Sequence, residues 1–391
     1  MFLRIILLTF VASESAATEK VVLQLKWKHQ FQFAGFYAAQ MQGFYSEEDL
    51  DVDIKPFVGE GGVVDAVISG SAQFGIADSS IVLARMTGKP VVVVATIFQH
   101  SPLGLLSLKS SEILSPLELK GKRVMYLKNA DDAVITAMLS ELNIKDSDFT
   151  HVPHTFNDMA LLGDDAVDAM AVYFTDQPYF YQQQGVDVHQ INPANYGIDF
   201  YGDMLFTQED YLTKNPDTVA AFRRASLKGW QYALKNPEAV VDWILENLPT
   251  EKTREHLLFE AQQTAKMIRP DLIELGHFSL SRVQRIASIY DQLNLADYDG
   301  SLADISYEAY QKRDNAALMV TKALAVIIFA LLVLIYFVSF INKKLKAQVA
   351  NKTELLQQKS TKLKKVKTHL ERAQIAAKQG SWEWNYADNS L

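Results

Sequence analysis

The chain has 391 residues, 49% hydrophobic and 11% aromatic, with a net charge of −8 and no cysteine. That length can hold a two-lobed domain of about 300 residues plus further segments, and the composition excludes global disorder. The missing thiols exclude structural disulfides, thiolate zinc sites and cysteine nucleophiles. Nucleic-acid binding finds no support, because the one basic run is explained by the membrane topology described below.

In chain order, residues 1–17 read as a secretory signal peptide: one early cation, Arg4, an apolar run from Ile5 to Ala12, and the small-x-small end Ser15-Ala16-Ala17. An uncleaved anchor is the alternative. From Lys20 an α/β alternation begins. Val21 to Leu25 is predicted as a strand, followed by a loop, Lys26 to Phe33, crowded with aromatic and amide side chains. Ala34 to Gln42 has helical spacing and is stopped by Gly43. Val52 to Phe57 is a second strand, and the glycine-rich turn Gly59-Glu60-Gly61-Gly62 leads into a helix from Val63 to Ser69. Gln73 to Ile76 (strand), Ala77 to Ser80 (loop) and Ile81 to Met86 (helix) follow, and Pro90 to Ile97 is apolar enough for a strand covered on both faces.

Around Phe98 to Gly104 the chain is expected to cross into a second lobe. Ser115-Pro116-Leu117-Glu118 is a capping box with proline at the first helical position. Lys122 to Tyr126 and Val167 to Tyr173 are strands, Asp131-Asp132 open a helix, and another starts at Thr175-Asp176-Gln177-Pro178. The return crossing is placed between Tyr196 and Leu205, and helical spacing dominates from Asn215-Pro216 to Tyr310. Repeated βα units of this length predict two open sheets.

Ala323 to Ile341 contains nineteen residues and no charge. As a helix it covers roughly 28 Å, close to a bilayer's hydrocarbon thickness. Leu318 to Lys322 can extend it, giving a transmembrane helix over 318–341. From Asn342 to Lys378 there are eleven Lys or Arg against two acids, so that side is expected to be cytoplasmic and everything before the span periplasmic. Leu345, Val349, Leu356, Leu363, Val366, Leu370, Ala373 and Ala377 fall at steps of four and three once Lys352 and Lys359 are counted on the same seam. Residues 342–378 are thus expected to form a parallel coiled coil and a homodimer; a lysine-rich helix lying on anionic lipid is the alternative.

In such a fold a ligand cleft lies at the carboxyl ends of strands, between the lobes. The loops expected there are Trp27 to Phe33, Gly59 to Gly62, Asp78 to Ser80, Gln99 to Ser101, Tyr173 to Gln177 and Asp199 to Asp203. Aromatics with amides and carboxylates suit a flat, polar, neutral or cationic heterocycle: rings stack and amides read ring nitrogens. The candidate ligand-binding residues are Trp27 as stacking platform, Asp78 and Tyr173 as polar contacts, then Gln30, Phe33, Ser79, Asp176 and Tyr201. No catalytic residue, metal ligand or cofactor is expected. His151-x-x-His154 is interrupted by Pro153, the Gly59 turn lacks a phosphate loop's lysine and hydroxyl, and no nucleophile elbow appears.

The stretches LKWKHQFQFAGFYAAQMQGFY and SGSAQFGIADSS, with the Lys122 strand, resemble the periplasmic-binding-protein family related to thiamine pyrimidine synthase and to pyrimidine- and sulfonate-binding transport proteins. The likeness covers about residues 20–310 and implies the type II fold: two α/β lobes, lobe 1 about 20–100 and 203–310, lobe 2 about 103–200, around a hinged cleft. The enzyme branch uses an active-site histidine, a lysine-bound pyridoxal phosphate and a cysteine-rich stretch. Matching the motifs places Phe33, Ala77 and Gly197 to Tyr201 at those positions, which argues against synthesis and leaves binding. Residues 379–391 resemble the opening of a PAS domain that is cut off, as in sensors whose output is a kinase or diguanylate cyclase. The resulting expectation is an inner-membrane sensor; a tethered transport binding protein and a pyrimidine synthase are the alternatives.

Overall fold

The computed structural model describes residues 18–57, 62–129, 132–155, 157–300 and 302–387, with the side chains of 303 and 378–387 excepted. The signal-peptide segment, the tip of the Gly59 turn and Asp131 lie outside the described residues. Of the PAS-like segment only the backbone of 379–387 is described, and it is helical. The described residues up to Lys312 form one compact unit and those from Arg313 onward a second.

In the first unit the chain begins with β1 (Glu19–Gln24), α1 (Ala34–Met41), β2 (Leu50–Lys55), α2 (Val63–Ile68), β3 (Phe74–Ala77), α3 (Ser80–Met86) and β4 (Val91–Thr96). It then forms β5 (Leu103–Leu108), β6 (Arg123–Tyr126), α4 (Ala133–Glu141), β7 (Thr150–Pro153), β8 (Ala169–Tyr173), α5 (Pro178–Gln183) and β9 (Val188–Ile191). After β10 (Met204–Gln208) come α6 (Glu209–Lys214), α7 (Pro216–Lys235), α8 (Pro237–Asn247), α9 (Arg254–Ile268) and α10 (Leu280–Gln292). Helix α11 (Tyr307–Ala387) starts in the first unit and makes up the described part of the second.

Two five-stranded sheets result, ordered β2-β1-β3-β10-β4 and β7-β6-β8-β5-β9. In each, one strand runs against its neighbours: β10 is antiparallel to β3 and β4, and β5 to β8 and β9. This is the two-lobed α/β periplasmic-binding-protein fold. Strand β5, crossing straight into the second sheet, lies where the sequence pattern showed only a connection. Its Leu-Gly-Leu-Leu run is buried on both faces and therefore carries no alternation to read. The Ser115 capping box forms as expected, but on a single 3₁₀ turn, Pro116–Leu119. Asp132 does not cap α4; its carboxylate accepts the Leu127 amide instead.

The two crossing segments pair as a short ribbon. Asp203 O accepts from Ile97 N and Phe98 N at 2.8 and 3.0 Å, and Ser101 N donates to Phe200 O at 2.8 Å. Gly202 permits this approach, since a Cβ there would stand 2.8 Å from Phe98 Cβ and 2.9 Å from His100 O. Helix α1 is seated against α7 through two facing glycines: a Cβ on Gly229 would fall 2.1 Å from Gly35 O. That contact fixes the aromatic loop preceding α1. All six residues of β4 are buried, as its unbroken apolar run predicts.

Within α11, the segment chosen as a span is long and apolar enough to cross a membrane, and none of it is buried against protein. The heptad residues Leu345, Val349, Leu356, Leu363, Val366 and Leu370 are exposed on the same helix.

Candidate functional site

Lys26 follows β1 after one residue, Leu25, and its largely buried side chain brings the ammonium to three oxygens. Nζ lies 2.9 Å from Asp203 Oδ1, 3.2 Å from Asp78 Oδ2 and 2.9 Å from Tyr173 Oη. It also sits 5.2 Å from the Tyr173 ring centroid. Asp78 comes from the end of β3, Asp203 from the return crossing just before β10, and Tyr173 is the last residue of β8 in the other sheet. One lysine thus joins both lobes at their strand ends. Burial alone would lower the Lys26 pKa, but Asp203, Tyr173 and Asp78 outweigh it and hold the ammonium well above its ordinary value. The two carboxylates part ways. Burial dominates at Asp203 and raises it despite Lys26; at Asp78 burial is outweighed by Lys26 and the Ser80 amide, which lower it.

The amides of the aromatic loop complete this cluster. Gln32 Nε2 donates to both Asp203 oxygens, at 3.0 and 2.8 Å, and Gln30 Nε2 donates to Gln32 Oε1 at 2.6 Å. Gln30 Oε1 is buried without a hydrogen bond among the described residues, an acceptor of the kind a ligand's N–H would satisfy. Trp27 is 37% exposed at the margin.

A second cross-lobe cluster lies close by in the sequence of loops. Lys252, before α9, bonds Asp176 of the second lobe and Glu260 of α9. Glu260 Oε2 also accepts the Phe31 amide at 2.8 Å, tying α9 to the aromatic loop. His256, one turn before Glu260, has its ring stacked on Tyr179 (centroids 4.3 Å apart) and met edge-on by Phe180. Its Nε2 stands 2.8 Å from Asp176 Oδ1. At that distance, with both groups buried, the imidazole and the carboxylate partner each other, and the contact helps to hold the Asp176 carboxyl down. Burial and the neighbouring Asp176 push the Glu260 pKa up to about 7, against the pull of Lys252. At Asp176 burial is outweighed by His256 and Lys252, which hold its carboxyl below the usual range.

Of the eight candidate residues, Asp78 and Tyr173 share the Lys26 cluster, Gln30 joins it through Gln32, Trp27 flanks it, and Asp176 belongs to the Lys252 cluster. Three are not brought in. Phe33 is fully buried in the first-lobe core, because the 3₁₀ turn Phe31–Phe33 rotates it away from the loop face. Ser79 Oγ is spent on Tyr201 O at 2.9 Å. The Tyr201 hydroxyl accepts the Ser279 amide at 3.1 Å under the Arg282 guanidinium, bracing the crossing segment against α10. The sequence reading missed Lys26, Gln32, Lys252, His256 and Glu260 as functional candidates, although Lys26 and Gln32 lie inside or beside a flagged loop. The histidines of His151-x-x-His154 bond separate backbone carbonyls, Tyr126 O and Ala171 O. A cavity of about 630 Å³ beside the crossing segments, near His100, Asn192, Met267 and Arg269, touches none of the candidates. The Lys26 cluster, the candidate site, lies apart from that open volume.

Comparison with known proteins agrees with this architecture. The formylaminopyrimidine-binding protein of Halalkalibacterium halodurans is 28% identical over 61% of this chain and 74% of its own length. The 4-amino-5-hydroxymethyl-2-methylpyrimidine phosphate synthase of Legionella pneumophila is 26% identical over 61% and 77%. Among solved structures, the alkanesulfonate-binding protein SsuA of Xanthomonas axonopodis pv. citri, bound to MOPS, superposes with a TM-score of 0.58 at 15% identity, covering 75% of this chain and 99% of its own. The family described as NMT1/THI5 like matches residues 30–240, more than half of the chain, and the protein belongs to that family.

Proposed function

We propose that this protein is a solute receptor of the bacterial inner membrane: a periplasmic two-lobed domain that binds a small nitrogen heterocycle, a single span, and a cytoplasmic helix that pairs with a second copy. The observation that carries the binding reading is the Lys26–Asp78–Asp203–Tyr173 cluster, which joins both lobes at strand ends beside Trp27. The cluster sets two carboxylates against one ammonium, and Gln30 Oε1 is a buried acceptor with no hydrogen bond among the described residues. Such a set suits a donor-rich amino heterocycle stacked on Trp27. The formylaminopyrimidine named for the Halalkalibacterium relative is of that chemistry. Catalysis is the weaker reading, although a synthase is among the relatives. The residues matched to its expected histidine and lysine are Phe33 and Ala77, both buried apolar groups.

The signalling half rests on α11. Its first turn is held by α7: Arg223 pairs with Glu308 at 3.6 Å and lies over the Tyr307 ring. The same helix continues through the span into the exposed heptads. In this reading, closure of the lobes is sensed at that first turn. A tethered transport protein would need no paired helix after the span.

A thermal-shift screen of pyrimidines, sulfonates and amino acids on the detergent-purified chain is expected to single out an aminopyrimidine. Trp27→Ala should lose that shift while its ligand-free melting temperature stays; an unchanged ligand shift would remove the site from Trp27. Because the chain has no cysteine, single cysteines at Val349 and Leu356 report pairing cleanly. Cross-linked dimers are expected at both positions, and monomers at both would leave a tethered binding protein.

A further inference from the structure

We propose that Asp176, Lys252, His256 and Glu260 form a proton-operated latch between the two lobes: one proton on Glu260 completes the pairing across them, and its loss loosens the closed arrangement. Asp176 follows β8 in the second lobe, whereas Lys252 precedes α9 in the first, and His256 and Glu260 lie one turn apart on that helix. Lys252 bonds both acids, and His256 Nε2 stands 2.8 Å from Asp176 Oδ1. One carboxylate oxygen of each acid and one imidazole nitrogen all lie within 4.8 Å of one another. Asp176, His256 and Glu260 are 7%, 3% and 1% exposed, so water does not screen them.

The charges themselves call for the proton. Two carboxylates and one ammonium, with the imidazole uncharged, leave one negative charge in this buried space. Burial penalises that charge and the two acids repel each other, so one of them takes up a proton more readily than in water. Asp176 is held ionised by His256 and Lys252, whereas Glu260 has Lys252 and a single backbone amide, that of Phe31. Glu260 is therefore the acid that titrates, in keeping with its pKa of about 7. Other groups face the latch from the elements around it. The Tyr37 hydroxyl of α1 bonds His29 at 2.8 Å, and burial lowers the His29 pKa. Tyr179 of α5 covers the His256 ring, and Asp158, in the loop before β8, is raised by burial and bonded by Gln177. Opening the lobes takes Asp176 away and lets water reach Glu260, so its pKa falls back toward the ordinary range. The closed form thus holds the proton more tightly than the open form, and acid favours closure. That preference is complete near the ordinary glutamate range and is lost as pH rises through about 7. Asp176 keeps its charge throughout this window. This inference needs no heterocycle and stands apart from the solute reading.

Spin labels on Lys120→Cys in the second lobe and Lys235→Cys in the first, both exposed positions in a chain without cysteine, read the lobe separation. The full ligand-free chain is measured in detergent, diluted with unlabelled chain, from pH 5.5 to pH 8. A short distance is expected to dominate at pH 5.5. Its ratio to a longer one should fall by up to about ten-fold per pH unit and level off above neutrality, as one proton requires. Glu260→Gln, which is neutral at every pH, should keep the short distance at pH 8. Lys252→Met should move the step to higher pH, because the two acids lose their ammonium. Should Glu260→Gln lose its cooperative melt, the shift in Lys252→Met carries the test. A distance distribution that is the same at pH 5.5 and pH 8, lobes that separate as pH falls, or a step left in place by both variants would each overturn the latch.

Discussion

Lys26 sits at the end of a strand with two carboxylates and a phenol around its ammonium, whereas Lys252 reaches from a loop to two carboxylates, one of them also held by the His256 imidazole. Both lysines join the lobes, and each neutralises one of two acids. The difference lies in what else the acids have. Asp203 is buried and its partners are Lys26, Gln32 and the crossing ribbon, so Lys26 is the single full charge opposing it. In the second cluster Asp176 has His256 and Glu260 has the Phe31 amide, so the lysine is one support among several. A buried charge is as secure as its least replaceable partner. The first cluster leans on one lysine, and the second shares its charges among several groups.

Breaking the first cluster should give the larger effect. Lys26→Met strands Asp78 and Asp203 in a low-dielectric site and is expected to cost about 3 kcal/mol of stability, read by denaturant unfolding of the full chain. A loss below about 1 kcal/mol would mean that water reaches the cluster freely. Lys252→Met should cost less, about 1–2 kcal/mol, since Glu260, with its pKa already pushed up to about 7, can take a proton in place of the ammonium. Equal losses for the two lysines would erase the contrast. Tyr173→Phe is the finest cut: it removes the 2.9 Å bond to Lys26 but leaves the ring beside the ammonium, for an expected loss of about 1 kcal/mol in the same unfolding experiment. A loss as large as that of Lys26→Met would show that the hydroxyl, not the carboxylates, holds the lysine.

The site was partly legible beforehand. The loops ending β1, β3 and β8 were flagged because strand-end loops face the cleft, and Trp27, Asp78 and Tyr173 were named from them. By the same logic Phe33, Ser79 and Tyr201 are candidates, yet Phe33 lies in the core and Ser79 and Tyr201 are hydrogen-bonded within the crossing segments and α10. Loop membership does not say which way a side chain points, and one 3₁₀ turn was enough to send Phe33 into the core. His256 and Glu260 carry the opposite lesson. Polar residues four apart on a helix read as a solvated face, and only the packing of α9 against Phe31 and Asp176 makes that face a buried one.

What the sequence by itself determined is what local periodicity controls. The α/β alternation, the charge-free span and the steps of four and three after it follow from helical and strand repeats, which any window of a dozen residues contains. What only the tertiary structure decided is pairing over distance. The antiparallel insertion of β5 and β10, the ribbon of crossing segments, and contacts such as Lys26 with Tyr173, 147 residues apart, or Lys252 with Asp176, 76 apart, depend on how two sheets meet. No local pattern encodes such a meeting, because the apolar surface that drives it and the partners that its buried charges need are separated along the chain and adjacent only in the fold.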